Sequence, residues 1–419
     1  MITIKWAPAV ALLVLASFAW PARANLYNPQ IMPLGESEAF MANTGVAESG
    51  SSGAVFFNPG ALATQKGSKI SLSGVAYVFF NYKADSALRV DNTDLPYNAD
   101  GYNGVPFSVV STKRTGPWVL GLSVMETDLK TYENKVAWRT PNGSVNILQN
   151  LNQSEMWLGG TASRQLTDST GLGLSAFVIR RTESVTNTWF INNNIDPTGT
   201  AGFVTSRTQA AFTGLVLLAG FYQQVDSDTS WGARLRLPSF QLAGSLDSYA
   251  SVQQLSGGVL TKNEADETGL KATAKTPIDL SLGLSRQLGA NMRLLADLGY
   301  QLGIDYMVLE DRQSGPVRTA PTLRLNLGMR YDLSENAALR GGFFYNPSAQ
   351  AKLEEEGDSR EDYYHFSAGY QFQEEHLTTG IGVFYQFSRG EVIPLEAPDA
   401  RSAVSTSSYG AILTSGYVF

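Results

Sequence analysis

The sequence predicts an all-β protein, a transmembrane antiparallel β-barrel of about 14 strands with an N-terminal hatch inside its lumen. Three observations lead to this fold class. Apolar and polar residues alternate with a period of two in many strand-like segments of the chain. Short links and long links between these segments alternate, and the chain ends on Phe419. Each of these features is typical of bacterial outer-membrane barrels.

The first 24 residues have the pattern of a secretory signal peptide. A positively charged start is followed by an uninterrupted apolar run over 6–20 and by Ala22-Arg23-Ala24, a small-x-small cleavage pattern. The run is too short to cross a bilayer. We therefore expect residues 1–24 to be removed after export.

Composition excludes several classes of function. The chain has no cysteine and a net charge of −7, so a disulfide framework, a thiolate metal site and a nucleic-acid partner are not expected. His365 and His376 are its two histidines, and neither has an identifiable catalytic partner in the sequence. The sequence therefore predicts no enzyme, no cofactor and no bound metal.

Residues 25–66 precede the first strand and show no comparable alternation. They are rich in glycine and include Phe56 and Phe57, directly followed by Asn58, Pro59 and Gly60. Proline fixes its own φ and favours an extended residue before it, while glycine adopts angles closed to other residues. Because the lumen of a barrel of about 14 strands conducts unless it is filled, we expect this segment to act as a hatch within it. A flexible periplasmic tail is the alternative.

The predicted barrel covers residues 67–419. Its clearest strand is LRLNLGMRYD (323–332), in which an apolar face alternates with a polar face, and 278–285 and 364–372 repeat the arrangement. Successive side chains of a strand point to opposite faces, so one face suits lipid and the other the lumen. Aromatic residues expected at the membrane interfaces are Trp118, Trp231, Tyr300, Tyr331 and Tyr417.

The links between strands fall into two classes. Six short links, at 114–116, 167–170, 226–228, 289–291, 334–336 and 374–376, alternate with seven long ones, at 84–104, 129–152, 186–205, 246–267, 306–318, 348–361 and 390–406. Outer-membrane barrels have short periplasmic turns and longer external loops. We therefore expect an outer-membrane protein of a Gram-negative bacterium with both termini in the periplasm. The final YGAILTSGYVF resembles the aromatic ending that the barrel assembly machinery recognises, so this machinery and outer-membrane lipid are expected partners.

Apolar residues on the predicted lumen face point to a hydrophobic cargo, because such side chains are out of place in a water-filled pore. The candidate ligand contacts in the hatch and lumen are Phe40, Met41, Tyr77, Phe79, Phe177, Phe344 and Phe384. Six arginines are also predicted to face inward, either to bind a substrate carboxylate or to form Arg–Asp ladders of the barrel scaffold: Arg234, Arg236, Arg293, Arg324, Arg330 and Arg340.

The stretch MPLGESEAFMANTGVAESGSSGAVFFNPGALA (32–63) resembles the N-terminal hatch of the FadL/TodX family of outer-membrane transporters for long-chain fatty acids and other hydrophobic compounds. Its most specific element is Phe57-Asn58-Pro59, and 231–246 and 339–349 look like further segments of the family. The sequence departs from the family at Gly60, where alanine is usual, and in the acidic region 246–267.

The resemblance implies a monomeric 14-stranded barrel that passively transports hydrophobic compounds, long-chain fatty acids first among them. It gives the motif Phe56, Phe57, Asn58, Pro59 and Gly60 a role in hatch conformation. It also implies a kink in the third strand, which Gly121 would permit, as a lateral exit. The alternative function is a diffusion porin for hydrophilic solutes, either general or substrate-selective.

Overall fold

The computed structural model describes residues 32–90, 93–103, 107–140, 143–193, 200–256, 258–309, 317–354, 357–395 and 397–419. The predicted signal peptide (1–24) and the first residues of the predicted hatch (25–31) lie outside the described residues.

The barrel is one antiparallel sheet of 17 strand segments, closed where β1 pairs with β19. The segments of the sheet are β1 (Lys69–Val90), β2 (Thr93–Asn103), β3 (Phe107–Thr115), β4 (Trp118–Thr140), β5 (Gly143–Thr167), β6 (Thr170–Asn193), β7 (Thr200–Gln224), β8 (Thr229–Arg236), β9 (Phe240–Ser256), β10 (Val259–Lys271), β11 (Asp279–Leu288), β12 (Met292–Gln301), β15 (Thr322–Ser334), β16 (Ala337–Asn346), β17 (Ser359–Glu374), β18 (Leu377–Val392) and β19 (Ser402–Val418). A separate two-stranded hairpin consists of β13 (Asp305–Tyr306) and β14 (Val317–Arg318).

Three barrel strands consist of two segments each, namely β2 with β3, β8 with β9 and β10 with β11. The first two pairs each share a neighbouring strand, since β1 pairs with both β2 and β3 and β7 pairs with both β8 and β9. In the third pair, β10 pairs with β9 and β11 pairs with β8, which are the two segments of one barrel strand. The barrel therefore has 14 strands, as the sequence predicts.

The strands are longer than the period-two pattern indicates. The predicted long links at 84–104, 129–152 and 186–205 are mostly strand, because β1, β4, β5, β6 and β7 have 22 to 25 residues each. A strand needs roughly 9–11 residues to cross a membrane. One end of the barrel therefore extends well beyond a bilayer thickness. We call it the long-hairpin end, and the opposite end the short-turn end.

The outer face of the barrel is apolar. In β11, Leu280, Leu282 and Leu284 are exposed while Asp279 and Ser281 are buried. The five aromatic residues predicted for the membrane interfaces are all exposed large side chains. Among the described residues, no helix has both the length and the hydropathy needed to span a membrane.

Residues 32–66, which we call the N-terminal segment, lie inside the barrel. Nearly all of them from Met32 to Ala63 are buried, and they form a 3₁₀-helix (Glu38–Met41), an α-helical turn (Ala54–Phe57) and a second 3₁₀-helix (Ala61–Thr64). Each helix is a single turn, so the segment keeps its shape through contacts with the wall.

Hydrogen bonds fix the N-terminal segment to strands around the whole barrel. The Gly45 and Val46 amides donate to Oδ2 of Asp297 on β12, at 2.7 and 3.0 Å. The Ala42 amide donates to Oγ of Ser367 on β17 at 2.8 Å. Further bonds join the segment to β3, β6, β7, β8 and β15. Such widely spaced contacts hold the segment across the lumen.

Candidate functional site

The two adjacent phenylalanines of the sequence motif form the centre of the main apolar cluster. Phe56 meets Phe57 edge to face, with ring centroids 5.3 Å apart, and meets Trp157 of β5 at the same distance. Trp157 in turn contacts Phe177 of β6 at 5.4 Å. Ile179 and other buried side chains of the barrel wall extend the cluster. The motif therefore packs against the lumen wall, where Phe177 is fully buried.

Asn58 connects the motif to the barrel through three hydrogen bonds. Its Nδ2 donates to the carbonyl oxygens of Val46 (2.7 Å) and Phe221 (2.8 Å), and its Oδ1 accepts from the Gly60 amide at 3.0 Å. Its backbone is extended, at φ −164° and ψ 97°, as expected for a residue before proline. The bond to Phe221 joins the N-terminal segment to β7.

Gly60 is needed for close approach and not for an unusual backbone angle. Its φ is −65°, an ordinary value. A Cβ at Gly60 would lie 2.7 Å from the Gly220 carbonyl oxygen, and one at Gly173 would lie 2.3 Å from the Pro59 carbonyl. The sequence indicated a backbone angle closed to other residues at Gly60, whereas the structure shows an ordinary angle and backbone packed directly against backbone. Wall glycines are therefore part of the site.

Phe40 and Met41 are fully buried in the lumen. Phe40 packs against Gly369 and Gly382, where an added Cβ would come within 2.6 Å of its ring. The Met41 sulfur accepts a hydrogen bond from Nη1 of Arg340 at 3.4 Å. Both predicted contacts therefore lie inside the barrel, held by its wall.

Phe344 and Phe384 flank His365 on the inner wall. Both rings lie within 7° of parallel to the imidazole, with centroids 4.7 and 5.4 Å from it. Nδ1 of His365 is 3.3 Å from Oε1 of Gln386, and its Nε2 is buried without a hydrogen-bond partner among the described residues. Phe344 and Phe384 are themselves buried on this wall.

Tyr77 and Phe79 are not in the lumen, contrary to the sequence prediction. Tyr77 is 60% exposed and Phe79 43%, and Phe79 stacks on Tyr409 of the outer face. The cause is a β-bulge in β1, where the register to β19 shifts between Ala76 and Val78 and Tyr77 has φ 59°. A bulge adds one residue and inverts the alternation beyond it, so Val78 faces inward in their place.

Gly121 is not the site of a kink in the third barrel strand, β4. It is paired in regular register with Thr112 on β3 and Thr161 on β5. The irregularity lies further along β4, between Glu126 and Asp128. A Cβ at Gly121 would lie 3.4 Å from Val55, so this glycine gives room to the N-terminal segment.

The ladder between the second and third barrel strands is incomplete. The β3–β4 pairing runs from Ser108 with Met125 to Thr115 with Trp118. β2 pairs with β1, and no pairing between β2 and β4 occurs in the described part of the chain. In the described residues, the hydrogen-bond ladder between the second and third barrel strands therefore ends close to the irregularity in β4.

Ionic groups occupy the inner wall beside the apolar cluster. Arg234 and Arg324 both bind Asp279, with 2.6 Å between Nη2 of Arg234 and Oδ1 of Asp279. Arg234 also donates to the Phe56 carbonyl oxygen at 3.3 Å. Elsewhere on the wall, Arg340 is 3.5 Å from Glu48 of the N-terminal segment. These contacts match the Arg–Asp scaffold that the sequence allowed.

Glu38 is a buried carboxylate inside the N-terminal segment. Its Oε2 accepts from the Ser37 amide at 3.2 Å, and its Oε1 has no hydrogen-bond partner among the described residues. A Cβ at Gly35 or at Gly53 would lie 2.5 Å from Oε2. Burial, with a smaller effect of the nearby Glu48 carboxylate, raises the pKa of Glu38 to about 7. The composition of the sequence gave no signal for this group.

A second apolar cluster lies at the long-hairpin end. It joins the extensions of several strands to the link after β18, where Leu88 bridges to Leu395. Its largest members are Tyr97, Trp138 and Trp189. Apolar side chains therefore line the interior both beside the N-terminal segment and at the long-hairpin end of the barrel.

In the described residues, no group of three or more His, Cys, Asp or Glu side chains is arranged to hold a metal ion.

The closed barrel with its filled lumen matches solved transporter structures. A Pseudomonas aeruginosa FadL homologue gives a TM-score of 0.65 at 13% identity, over 94% of this chain and 100% of that one. The Pseudomonas putida toluene transporter TodX gives 0.60 at 15% identity, over 93% and 99%. The CymD monoaromatic hydrocarbon channel gives 0.60 at 14%, over 92% and 97%. The chain has the FadL-type fold.

The resemblance noted in the sequence is thus confirmed at the level of the FadL-type fold. No family model and no curated protein matches the sequence. At 13 to 15% identity, the likeness rests on the course of the backbone and not on shared side chains.

Proposed function

We propose that this protein is a passive outer-membrane channel for hydrophobic compounds, with long-chain fatty acids as the first candidate cargo, and that it belongs to the FadL/TodX family. The observation that carries the proposal is the N-terminal segment, which fills the lumen with apolar side chains and is bonded to strands around the barrel. A filled, apolar lumen suits oily solutes and obstructs water-soluble ones.

The proposed layout has a signal peptide over 1–24, a hatch over 25–66 and a membrane barrel over 67–419. The apolar outer face supports the membrane location. We place both termini in the periplasm because β1 begins and β19 ends at the short-turn end, where Lys69 pairs with Val418. We expect a monomer that the barrel assembly machinery inserts through recognition of Phe419. The motif from Phe56 to Gly60 controls the hatch, because its backbone touches the wall at Gly173 and Gly220.

The proposed path runs between two apolar clusters. Cargo enters at the long-hairpin end, past Trp138 and Trp189, and reaches the wall beside Phe177 and Trp157 above the N-terminal segment. Each methylene that stays in apolar contact saves about 0.8 kcal/mol relative to water. The described residues include no pairing between β2 and β4, which supports a sideways exit into the membrane.

The solved relatives support a hydrophobic cargo. TodX is described as a toluene transporter and CymD as a monoaromatic hydrocarbon channel. The alternative, a diffusion porin, requires an open aqueous lumen, and the buried N-terminal segment argues against it.

Expression in a Gram-negative host that lacks its own fatty-acid channel tests the proposal. Uptake of radiolabelled oleate or toluene should rise above that of the empty-vector control, while uptake of a labelled disaccharide should stay at the control level. Restored disaccharide uptake with no gain for either hydrophobic compound would contradict the proposal and favour the porin.

A further inference from the structure

The link between β12 and β15, at the long-hairpin end, packs against other parts of the barrel instead of projecting into solvent. We call its described residues, 302–309 and 317–321, the inner hairpin, and they include the β13–β14 pair. Tyr306 of β13 is 6% exposed and belongs to a small apolar cluster with Val317 and Ala349. The inner hairpin therefore has a buried side of its own.

Hydrogen bonds anchor the inner hairpin on both flanks. On one flank, the Thr273 amide, between β10 and β11, donates to the Val308 carbonyl oxygen at 2.8 Å. On the other flank, the Ala320 amide donates to the carbonyl oxygen of Ala349, which follows β16, at 2.7 Å. The hairpin is thus bound to the strands on either side of the two from which it emerges.

Tyr306 reaches a third part of the wall. Its hydroxyl interacts electrostatically with Arg181 and Glu183 of β6. β6 is the fifth of the 14 barrel strands and β16 is the eleventh, so these two strands lie almost opposite each other. The contacts of the inner hairpin therefore extend across the mouth of the barrel.

The contact with β6 lies between the two apolar clusters. From the short-turn end, the buried inward residues of β6 include Ile179 of the main cluster, then Arg181 and Glu183, and then Trp189 of the second cluster. A cargo that follows this wall must therefore pass Tyr306.

The inner hairpin does not fill the lumen as the N-terminal segment does. Neighbouring strands lie about 5 Å apart, so a two-stranded hairpin is much narrower than a lumen bounded by 14 strands. It obstructs the path along β6 and leaves the rest of the mouth open to ions.

We propose that the inner hairpin is an outer gate for cargo, and that movement of Tyr306 away from Arg181 and Glu183 opens the way from the second apolar cluster to the main one. Arg181 and Glu183 form an ion pair at 3.4 Å, so the wall offers an oily chain no apolar contact at this point. This inference rests on the proposed function and adds to it a second barrier, separate from the N-terminal segment.

Disulfides that hold the inner hairpin in place test the gate. The chain has no cysteine, so an introduced pair has no competing thiol. Ala272→Cys with Leu309→Cys holds one flank, and Thr319→Cys with Gln350→Cys holds the other. The residues of each pair face each other across an antiparallel bridge. Such residues have Cα atoms about 4.5–5.5 Å apart, a distance that a disulfide accommodates.

Uptake of radiolabelled oleate or toluene is measured in a Gram-negative host that lacks its own fatty-acid channel, with each pair oxidised and then reduced. At least one pair should lose uptake about tenfold when oxidised and regain it when reduced, because a gate that is covalently held stays closed. The control is Gln254→Cys with Thr261→Cys, opposed on β9 and β10, which should transport equally in both states. If oxidation leaves uptake unchanged in both hairpin pairs, the gate is refuted and a hydrophobic channel remains.

Tyr306→Ala keeps the test decisive if neither pair forms its disulfide. Loss of the ring removes the contact with β6, so uptake should rise about threefold or more. Tyr249→Ala, in the β9–β10 hairpin, is the control and should leave uptake unchanged. Wild-type uptake in Tyr306→Ala would then refute the gate. If the wild type takes up neither oleate nor toluene, the proposed function itself falls, and this inference with it.

Discussion

Asn58 is the residue on which the attachment of the N-terminal segment depends most directly. A single fully buried side chain satisfies two carbonyl oxygens and one amide, and one of these groups belongs to the wall. An alanine there leaves three backbone groups in an apolar cluster without their partner. The cost of a buried unsatisfied polar group is about 1–3 kcal/mol.

We therefore predict that Asn58→Ala weakens docking of the N-terminal segment by about 3 kcal/mol, since several buried groups lose a bond together. The measurement is hydrogen exchange of peptides from residues 32–66, which should speed up while exchange in the barrel strands is unchanged. Asn336→Ala, in an exposed turn, is the control. Equal exchange in both variants would show that Asn58 does not hold the segment.

Glu38 gives the N-terminal segment a dependence on pH. Its pKa is raised to about 7 from the ordinary value of 4.5, chiefly by burial. The folded segment therefore binds the proton more tightly than the unfolded chain. The stability that follows is complete below about pH 4.5 and is lost as the pH rises through 7.

Docking of the segment should weaken by about 1 kcal/mol between pH 6 and pH 8. Hydrogen exchange of residues 32–66, corrected for the intrinsic rate, measures this change. Glu38→Gln carries no titratable proton, so its docking should be independent of pH in this range, whereas the exposed Glu335→Gln should behave as wild type. A pH dependence that survives in Glu38→Gln would assign the effect to another group.

At the scale of the strand, the alternation of apolar and polar residues predicts which side chains face outward wherever the strand pairing is regular. In β11 and β15 the predicted outward residues, such as Leu282 and Leu325, are exposed. The prediction failed at Tyr77, because one bulge inverts the remainder of β1. At the bulge Tyr77 has a positive φ. This conformation is uncommon for a tyrosine, so the sequence does not predict it.

Other parts of the site depend on contacts between distant strands, which no local pattern encodes. The approach of Gly173 and Gly220 to the Pro59-Gly60 corner is one example. The shared bond of Asp279 with two arginines is another. Sequence reasoning recognised the motif at Phe57-Asn58-Pro59, but it missed Trp157 and Glu38, which occur in no distinctive pattern. The long links were also misread, because strands that continue beyond the membrane no longer need one apolar face.

The outer face gives a prediction for a single strand. Leu282 is 48% exposed in the middle of β11, whereas Leu260 is exposed near the tip of the β9–β10 hairpin. Leu282→Arg should destabilise the inserted barrel by about 2–4 kcal/mol, because it places a charge near the middle of the lipid. Leu260→Arg should cost almost nothing. Urea unfolding from lipid vesicles measures the stability of both variants. Equal stability of the two would contradict the placement of Leu282 near the middle of the lipid.

At the scale of the whole molecule, the barrel wall and the N-terminal segment have different structural roles. The wall provides a closed sheet with an apolar exterior, and the N-terminal segment provides the interior core that a barrel of this width otherwise lacks. The proposed passive transport of an oily cargo would then require that the segment shift or that the wall open beside β4. Neither step requires an energy source.

Single-channel conductance in planar bilayers tests this account most directly. The intact protein should pass almost no ionic current, and a variant lacking residues 32–65 should show large, stepwise openings once circular dichroism confirms its β-barrel. Intact protein that conducts as strongly as the deletion variant would contradict the claim that the N-terminal segment closes the lumen.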